Sequence, residues 1–120
     1  MPASYRIDLH AGVVFAVFEG RLTNEDLMDH QRRLSADPDS RPTMNRVIDL
    51  RGVTDPAVTA FGVRTVATRR NFASRCAIIA DDAASSDAYV RMFQTLRSQR
   101  GENIKIFSTV EDAHRWLGLE

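Results

Sequence analysis

The spacing of hydrophobic and polar positions changes several times along the chain, and each change predicts a new element. In "SYRIDLH", residues 4 to 10, Tyr5, Ile7 and Leu9 alternate with polar residues, which predicts a strand with one face in water. The next stretch, "VVFAVFEG", is apolar on both faces, as interior strands are. A short link containing Gly12 joins the two stretches, so we expect an antiparallel hairpin.

Strand and helix patterns alternate after the hairpin. Three stretches have strand character: "NRVIDLR", "RCAIIA" and "NIKIF". Four have helical spacing: "LTNEDLMDHQRRL", the stretch after Asp55-Pro56, "SDAYVRMFQTLRSQRG" and "STVEDAHRWLG". The order ββαβαβαβα predicts a single α/β domain over residues 1–120. Its mixed five-stranded sheet opens with an antiparallel hairpin and is flanked by four helices.

Polar residues at the helix starts predict where each helix begins. Thr23 is expected to cap the first helix. Asp55 followed by Pro56 predicts the start of the second, running to about Asn71. Ser85 or Ser86 is expected to cap the third helix, and Ser108 with Glu111 to form a capping box on the fourth, which Gly118 ends.

Three stretches carry a family resemblance that extends from about Tyr5 to Gly118. They are "VIDLRGV", then "AIIADD" followed by "AYVRMFQTL", and finally "IKIFSTVEDAHRWLG". Together with the element order they resemble the small STAS-like domains, namely the single-domain bacterial SpoIIAA-like or STAS/SEC14-like proteins. The resemblance implies a five-stranded sheet with helices and usually no catalysis. Some relatives bind protein partners and switch by phosphorylation, while the related SEC14 fold carries hydrophobic ligands.

The phosphorylation switch of the antagonists is expected to be absent. They carry a Ser or Thr directly after an acid at the start of the second helix. Here the matching acid is Asp55, and Pro56, which cannot accept a phosphate, stands at the acceptor position. The remaining hydroxyls near this segment are Thr54 and Thr59, and we expect no stoichiometric phosphorylation there.

Asp49 ends an apolar strand, where open α/β sheets place ligands. The favoured interpretation is that its carboxylate accepts backbone N–H groups from the turn of residues 51 to 54, because an acid within a strand needs such partners. The alternative is that Asp49 takes part in a reaction, as a phosphoryl acceptor or a base. A phosphorylated receiver domain would need an acidic pair after its first strand and a lysine after its last, and the chain offers neither at those positions.

Composition excludes several function classes. Sixteen basic and sixteen acidic residues give a net charge of zero, which does not attract nucleic acid and does not oppose a homodimer. Cys76 is the single cysteine, and the three histidines show no metal-ligand spacing, so we expect no disulfide, metal or cofactor. The N-terminus lacks a signal-peptide pattern, and no apolar run is long enough to span a membrane, which predicts a cytoplasmic protein.

Three functional hypotheses follow. The first is a non-catalytic module that binds a protein partner or itself through the loops after the third and fourth strands; the residues concerned are Asp49, Arg51, Thr54, Asp55, Asp82, Ser85 and Ser86. The second is a carrier of a small apolar ligand, with a pocket between sheet and helices bordered by Phe61, Tyr89, Met92 and Phe93, which are otherwise core residues. The third is an enzyme that uses Asp49 or Cys76.

Overall fold

The computed structural model of the protein describes residues 3–68, 74–81 and 87–119. Within these ranges the strands are β1 (Ala3–Asp8), β2 (Val13–Thr23), β3 (Asn45–Ala57), β4 (Arg75–Ile79) and β5 (Asn103–Phe107). The helices are α1 (Asn24–Ala36), α2 (Ala60–Ala67), α3 (Ala88–Gln99) and α4 (Val110–Leu117). This order confirms the predicted ββαβαβαβα arrangement.

The five strands form one mixed sheet in chain order, β1-β2-β3-β4-β5. β1 runs antiparallel to β2, and the remaining neighbours are parallel. The hairpin between β1 and β2 closes with the N–H of Ala11 donating to the Asp8 carboxylate at 2.9 Å. Gly12 follows at φ 68°, a left-handed conformation that glycine adopts without strain.

The two faces of the sheet are covered unequally. Crossovers of one hand between parallel strands in chain order place the connecting helices α1, α2 and α3 together on one face. Leu27 of α1 and Phe93 of α3 pack there around Ile48 and Ile78 of the sheet. On the other face α4 is the one described helix that packs on the sheet, with Ala113 and Leu117 in a cluster with Val13, Val47 and Ala77. We call these the three-helix face and the α4 face.

The start of α2 differs from the prediction. β3 continues in extended form through Asp55 and Pro56 to Ala57, and Thr59 caps the helix by accepting the N–H of Gly62 at 3.1 Å. The reason is the length of β2, which pairs with β3 as far as Ala57 and keeps that backbone extended. The helix ends at Ala67 with Thr68 as its C-cap, and Asn71, the predicted end, lies outside the described residues.

Of the other three helix starts, one lies where it was predicted and two are shifted by one or two residues. Thr23 caps α1 as predicted, in a capping box with Asp26. Asp87 caps α3 through its carboxylate, so the prediction that Ser85 or Ser86 does so is wrong; both serines lie outside the described residues. α4 is capped by Thr109 rather than Ser108, and ends as predicted at Gly118 in the left-handed region.

Phe61 is the one predicted core aromatic that the structure places in water. It is 76% exposed, because α2 begins only at Ala60 and turns Gly62, Val63 and Val66 inward instead. The apolar stripe of α2 therefore begins later than predicted.

Candidate functional site

Asp49 and Arg51 lie together on the α4 face, since side chains alternate along β3 and Val47 points the same way. The Asp49 Oδ1 atom accepts the backbone N–H of Arg51 at 3.0 Å, as predicted for a loop anchor. The Arg51 guanidinium adds bonds of 3.0 Å to Oδ1 and 2.8 Å to Oδ2. The hydrogen bond from Arg51 lowers the pKa of Asp49, which keeps the carboxylate charged and already engaged.

The other described residues of the predicted surface, Thr54 and Asp55, lie further along β3. Thr54 and Asp55 are exposed and belong to β3 itself, and Asp55 faces Arg21 of β2 across 4.0 Å. The loop predicted after the third strand is thus mostly strand. Asp82, Ser85 and Ser86 lie outside the described residues. A partner surface built from these residues stays a prediction.

A cavity of about 380 Å³ lies between the sheet and α1, α2 and α3, on the three-helix face. Its walls are mainly apolar and include Phe18, Ile48 and Ile78 from the sheet and Leu27, Val63 and Phe93 from the helices. The exposed residues Ser35, Pro42 and Pro56 also line it and mark where it reaches the surface. A volume of this size falls in the range of ordinary small-molecule sites, about 300–1,000 Å³.

Tyr89 and Phe93 border this cavity, as the hypothesis of an apolar pocket predicted. Phe61 does not border it, because its side chain points to solvent. Met92 is partly buried but is not part of the cavity wall.

His30 of α1 is the least expected residue in the wall. It is 7% exposed, and its ring meets the edges or faces of Phe18 at 5.0 Å and Tyr5 at 5.7 Å between centroids. Burial, with smaller contributions from Arg46 and Arg33, lowers the pKa of His30 to about 4, so the imidazole is neutral at pH 7. Its Nδ1 atom is buried and has no hydrogen-bond partner among the described residues.

The sequence predicted no pocket role for His30, since the three histidines were considered only for metal-ligand spacing. The signal was its spacing: it lies three residues after Leu27 and four before Leu34, inside the apolar stripe of α1.

A buried ionic cluster adjoins the cavity at the start of β3. The Arg46 Nη2 atom donates to Glu102 Oε2 at 2.6 Å, and Arg97 Nε donates to Oε1 at 2.9 Å. Arg97 also donates to the carbonyl of Ala67 at 3.1 Å, which ties α3 to the end of α2. Arg46 lines the cavity and shares the inward parity of Ile48, which could have revealed it in the sequence.

Cys76 offers no reactive thiol. It is fully buried in β4, and desolvation raises its pKa to about 12, so it is protonated at neutral pH. Its place in the apolar core of the three-helix face explains why the chain has a small hydrophobic residue there.

Two features, a metal-binding group of side chains and a membrane-spanning helix, are absent from the described ranges. Nowhere in them do three or more His, Cys, Asp or Glu side chains come together as a metal site would require. None of their helices has the length and apolar character needed to cross a membrane.

Comparison with known proteins identifies the fold. No protein-family model matches the sequence, and no curated protein does either. Among solved structures, the chain is similar to an uncharacterized protein of the DUF3478 family, with a SpoIIAA-like fold, from Shewanella loihica PV-4. The TM-score is 0.65 at 18% identity, over 96% of this chain and 93% of that one. This chain has a SpoIIAA-like fold.

The similarity confirms the fold expected from the STAS-like resemblance. At 18% identity it concerns the fold alone, and that neighbour is itself uncharacterized. The functional argument therefore rests on the side chains of this chain.

Proposed function

We propose that the protein is a non-catalytic module that binds a small apolar ligand in the cavity of the three-helix face. The observation that carries the proposal is the cavity of about 380 Å³ with its mainly apolar wall. Protein interiors are ordinarily packed with few voids larger than a water molecule, and this space, which opens to the surface, is large enough to admit a small ligand. Apolar cavities hold water poorly and bind apolar molecules.

The size of the cavity limits the ligand. With a liquid-water share of about 30 Å³ per molecule, the space corresponds to roughly a dozen water-sized groups. A ligand with about ten to fifteen non-hydrogen atoms suits it, for example a fused pair of aromatic rings or a short alkyl chain. A long-chain lipid would have to leave part of its chain outside.

Binding fits the side chains better than catalysis does. Asp49 is held by Arg51 on the opposite face of the sheet, and the Cys76 thiol is protonated in the core. Neither of the two residues in the enzyme hypothesis is therefore available as a base or nucleophile at the cavity.

Naphthalene is a suitable probe, because it is apolar and of the right size. We expect saturable binding, measured by fluorescence titration and by a rise in the midpoint of thermal unfolding. Native mass spectrometry of protein taken directly from its own cells should also show a bound small molecule. If naphthalene does not bind and no co-purified molecule is present, the cavity does not serve ligand binding.

A cavity-filling variant tests the location. Val90→Phe enlarges a partly buried side chain in the cavity wall and should abolish naphthalene binding. Val110→Phe is the matched control, since Val110 is also a partly buried valine near a helix start, but on the α4 face. Retained binding in Val90→Phe, or equal loss in both variants, would contradict the assignment.

A second candidate function, docking of a protein partner, is supported by the exposed part of the α4 face around Val17. α4 packs over β4 and β5, which leaves Val17 of β2 37% exposed. Arg6 lies 4.1 Å above the Phe15 ring, and the Asp49–Arg51 pair is nearby on β3. An apolar centre with charged neighbours is the usual composition of a transient interface.

Charge reversal tests this surface. Arg51→Glu should remove a specific partner from a native-lysate pull-down, whereas Arg32→Glu, at an exposed position on α1, should leave it bound. A second copy of the chain is one such partner, so light scattering should show whether the protein dimerises and whether Arg51→Glu prevents it. An unchanged set of partners and an unchanged mass would discard this surface.

A further inference from the structure

The wall of the cavity includes a buried histidine, His30 of α1. His30 is 7% exposed and lines the cavity, and its Nδ1 atom has no hydrogen bond among the described residues. Buried nitrogen atoms of this kind are nearly always paired in folded proteins, because losing hydration without a replacement bond costs free energy. An unpaired one at a cavity wall therefore points to a bond that a ligand completes.

We propose that His30 is the polar anchor of the cavity and recognises, through Nδ1, a hydroxyl or similar neutral oxygen group on an otherwise apolar ligand. This deepens the proposed function and rests on it. The ligand class is an apolar alcohol or phenol with about ten to fifteen non-hydrogen atoms, as the cavity volume of about 380 Å³ requires.

Tyr5, Phe18 and Gln31, which lie near His30 or follow it on α1, make their contacts with other groups. The Tyr5 hydroxyl donates to the Asp37 carboxylate at 2.8 Å and lies 3.3 Å from the carbonyl of Arg33, so it is already engaged. Phe18 contacts the imidazole with its ring and has no polar side-chain atom that could bond to Nδ1. The Gln31 amide donates to the carbonyl of Val66 at 3.0 Å, which ties it to α2.

The neutral state of the imidazole favours a neutral group. Burial lowers the pKa of His30 to about 4, so one ring nitrogen donates and the other accepts at pH 7. A hydroxyl can pair with either tautomer, because it both donates and accepts. A carboxylate would lose its hydration among apolar walls, and the Arg46 guanidinium that lines the cavity is already ion-paired with Glu102.

The test compares three ligands of one shape: naphthalene, β-naphthol and β-naphthoate, titrated into the full chain at pH 7.5. β-Naphthol should bind about three to ten times more tightly than naphthalene, the ratio that one net hydrogen bond provides. β-Naphthoate should bind more weakly than β-naphthol. Equal affinities of naphthol and naphthalene, or tightest binding of naphthoate, would overturn the proposal.

His30→Leu supplies the second measurement. In this variant β-naphthol and naphthalene should bind with about equal affinity, so the preference for β-naphthol falls to about one. Proton–nitrogen NMR of the imidazole adds a readout that does not depend on the variant folding: the His30 Nδ1 resonance should shift with β-naphthol and not with naphthalene. An unshifted resonance would contradict the anchor.

The outcomes separate the two proposals. Binding of naphthalene without any naphthol preference removes the role of His30 and leaves the cavity as a ligand site. Failure of all three compounds to bind removes both.

Discussion

The two faces of the sheet are built from the same strands but reach different degrees of closure. On the α4 face, Ala113 and Leu117 close directly onto Val13, Val47 and Ala77 in a continuous apolar cluster. On the three-helix face, three helices stand over the sheet and leave a cavity of about 380 Å³ with His30 and Arg46 in its wall. The single helix α4 therefore packs more closely on its face of the sheet than the three helices do on theirs.

The difference is one of packing. The α4 face follows the ordinary rule that interiors are close-packed and apolar. The three-helix face departs from that rule twice, with an open space and with buried polar groups, and such departures are typical of functional sites. Four predictions examine this contrast, from the largest expected effect to the smallest.

Breaking the buried ionic cluster should have the largest effect. Glu102→Gln leaves Arg46 and Arg97 facing each other without their shared carboxylate, and removing one partner of a buried pair costs about 3–5 kcal/mol. Urea denaturation measures the free energy of unfolding. The control is Asp112→Asn, which breaks the exposed Arg115–Asp112 pair and should cost less than about 1 kcal/mol. Equal effects would show that the cluster is not buried.

His30 should make stability depend on pH. Its pKa is depressed from 6.5 to about 4 in the folded protein, so the unfolded chain binds the proton more tightly. Stability is therefore complete above pH 6.5 and falls as the pH drops toward 4, by about 3 kcal/mol at about 1.4 kcal/mol per pKa unit.

The His30→Leu variant should lack this component. Carboxylates such as Asp29, and the cations Arg33 and Arg46, are present in both chains, so the difference between the two pH profiles isolates His30. Parallel profiles from pH 7.5 to 4 would show that His30 is protonated freely in the folded state.

Two leucines compare packing on the two faces directly. Leu34 and Leu117 are both 8% exposed, but Leu34 lines the cavity and Leu117 lies in the closed cluster. Leu117→Ala should cost about 2–4 kcal/mol. Leu34→Ala should cost about 1 kcal/mol less, because part of its surface already lacks contacting atoms. The reverse order in denaturation experiments would contradict the contrast between the faces.

The smallest effect is expected at Asp49. The Asp49 and Arg51 side chains are 20% and 46% exposed, so solvent screens their ion pair. Asp49→Asn should lower the free energy of unfolding by less than about 1 kcal/mol and leave naphthalene binding unchanged, since the pair lies on the α4 face. A loss of binding would mean that the pair is coupled to the cavity through the sheet.

Local patterns in the sequence predicted most of the fold. The alternation around Tyr5 and the apolar run of β2 predicted the hairpin, because side-chain periodicity is a property of neighbouring residues. The Thr23 cap and the Gly118 stop were also predicted, since caps bond within four residues. The prediction that a helix starts at Asp55-Pro56 was wrong for the opposite reason. The pairing of β3 with β2 overrode the local preference for a helix start.

The candidate site was predicted only in outline. An apolar pocket between sheet and helices was expected, and Tyr89 and Phe93 do border it. Its polar residues were missed, because each has an ordinary local explanation: His30 as a helix residue and Arg46 as the start of a strand.

The sequence by itself determined the elements, their order and therefore the SpoIIAA-like arrangement of a hairpin followed by β/α units. Tertiary structure alone decided that α4 packs closely onto its part of one face and that a cavity remains on the other. It also decided that Arg46 meets Glu102, 56 positions later in the chain. The physical reason is the separation along the chain over which each feature is set. Periodicity and capping act over a few residues, whereas a cavity and a buried ion pair depend on how distant elements pack.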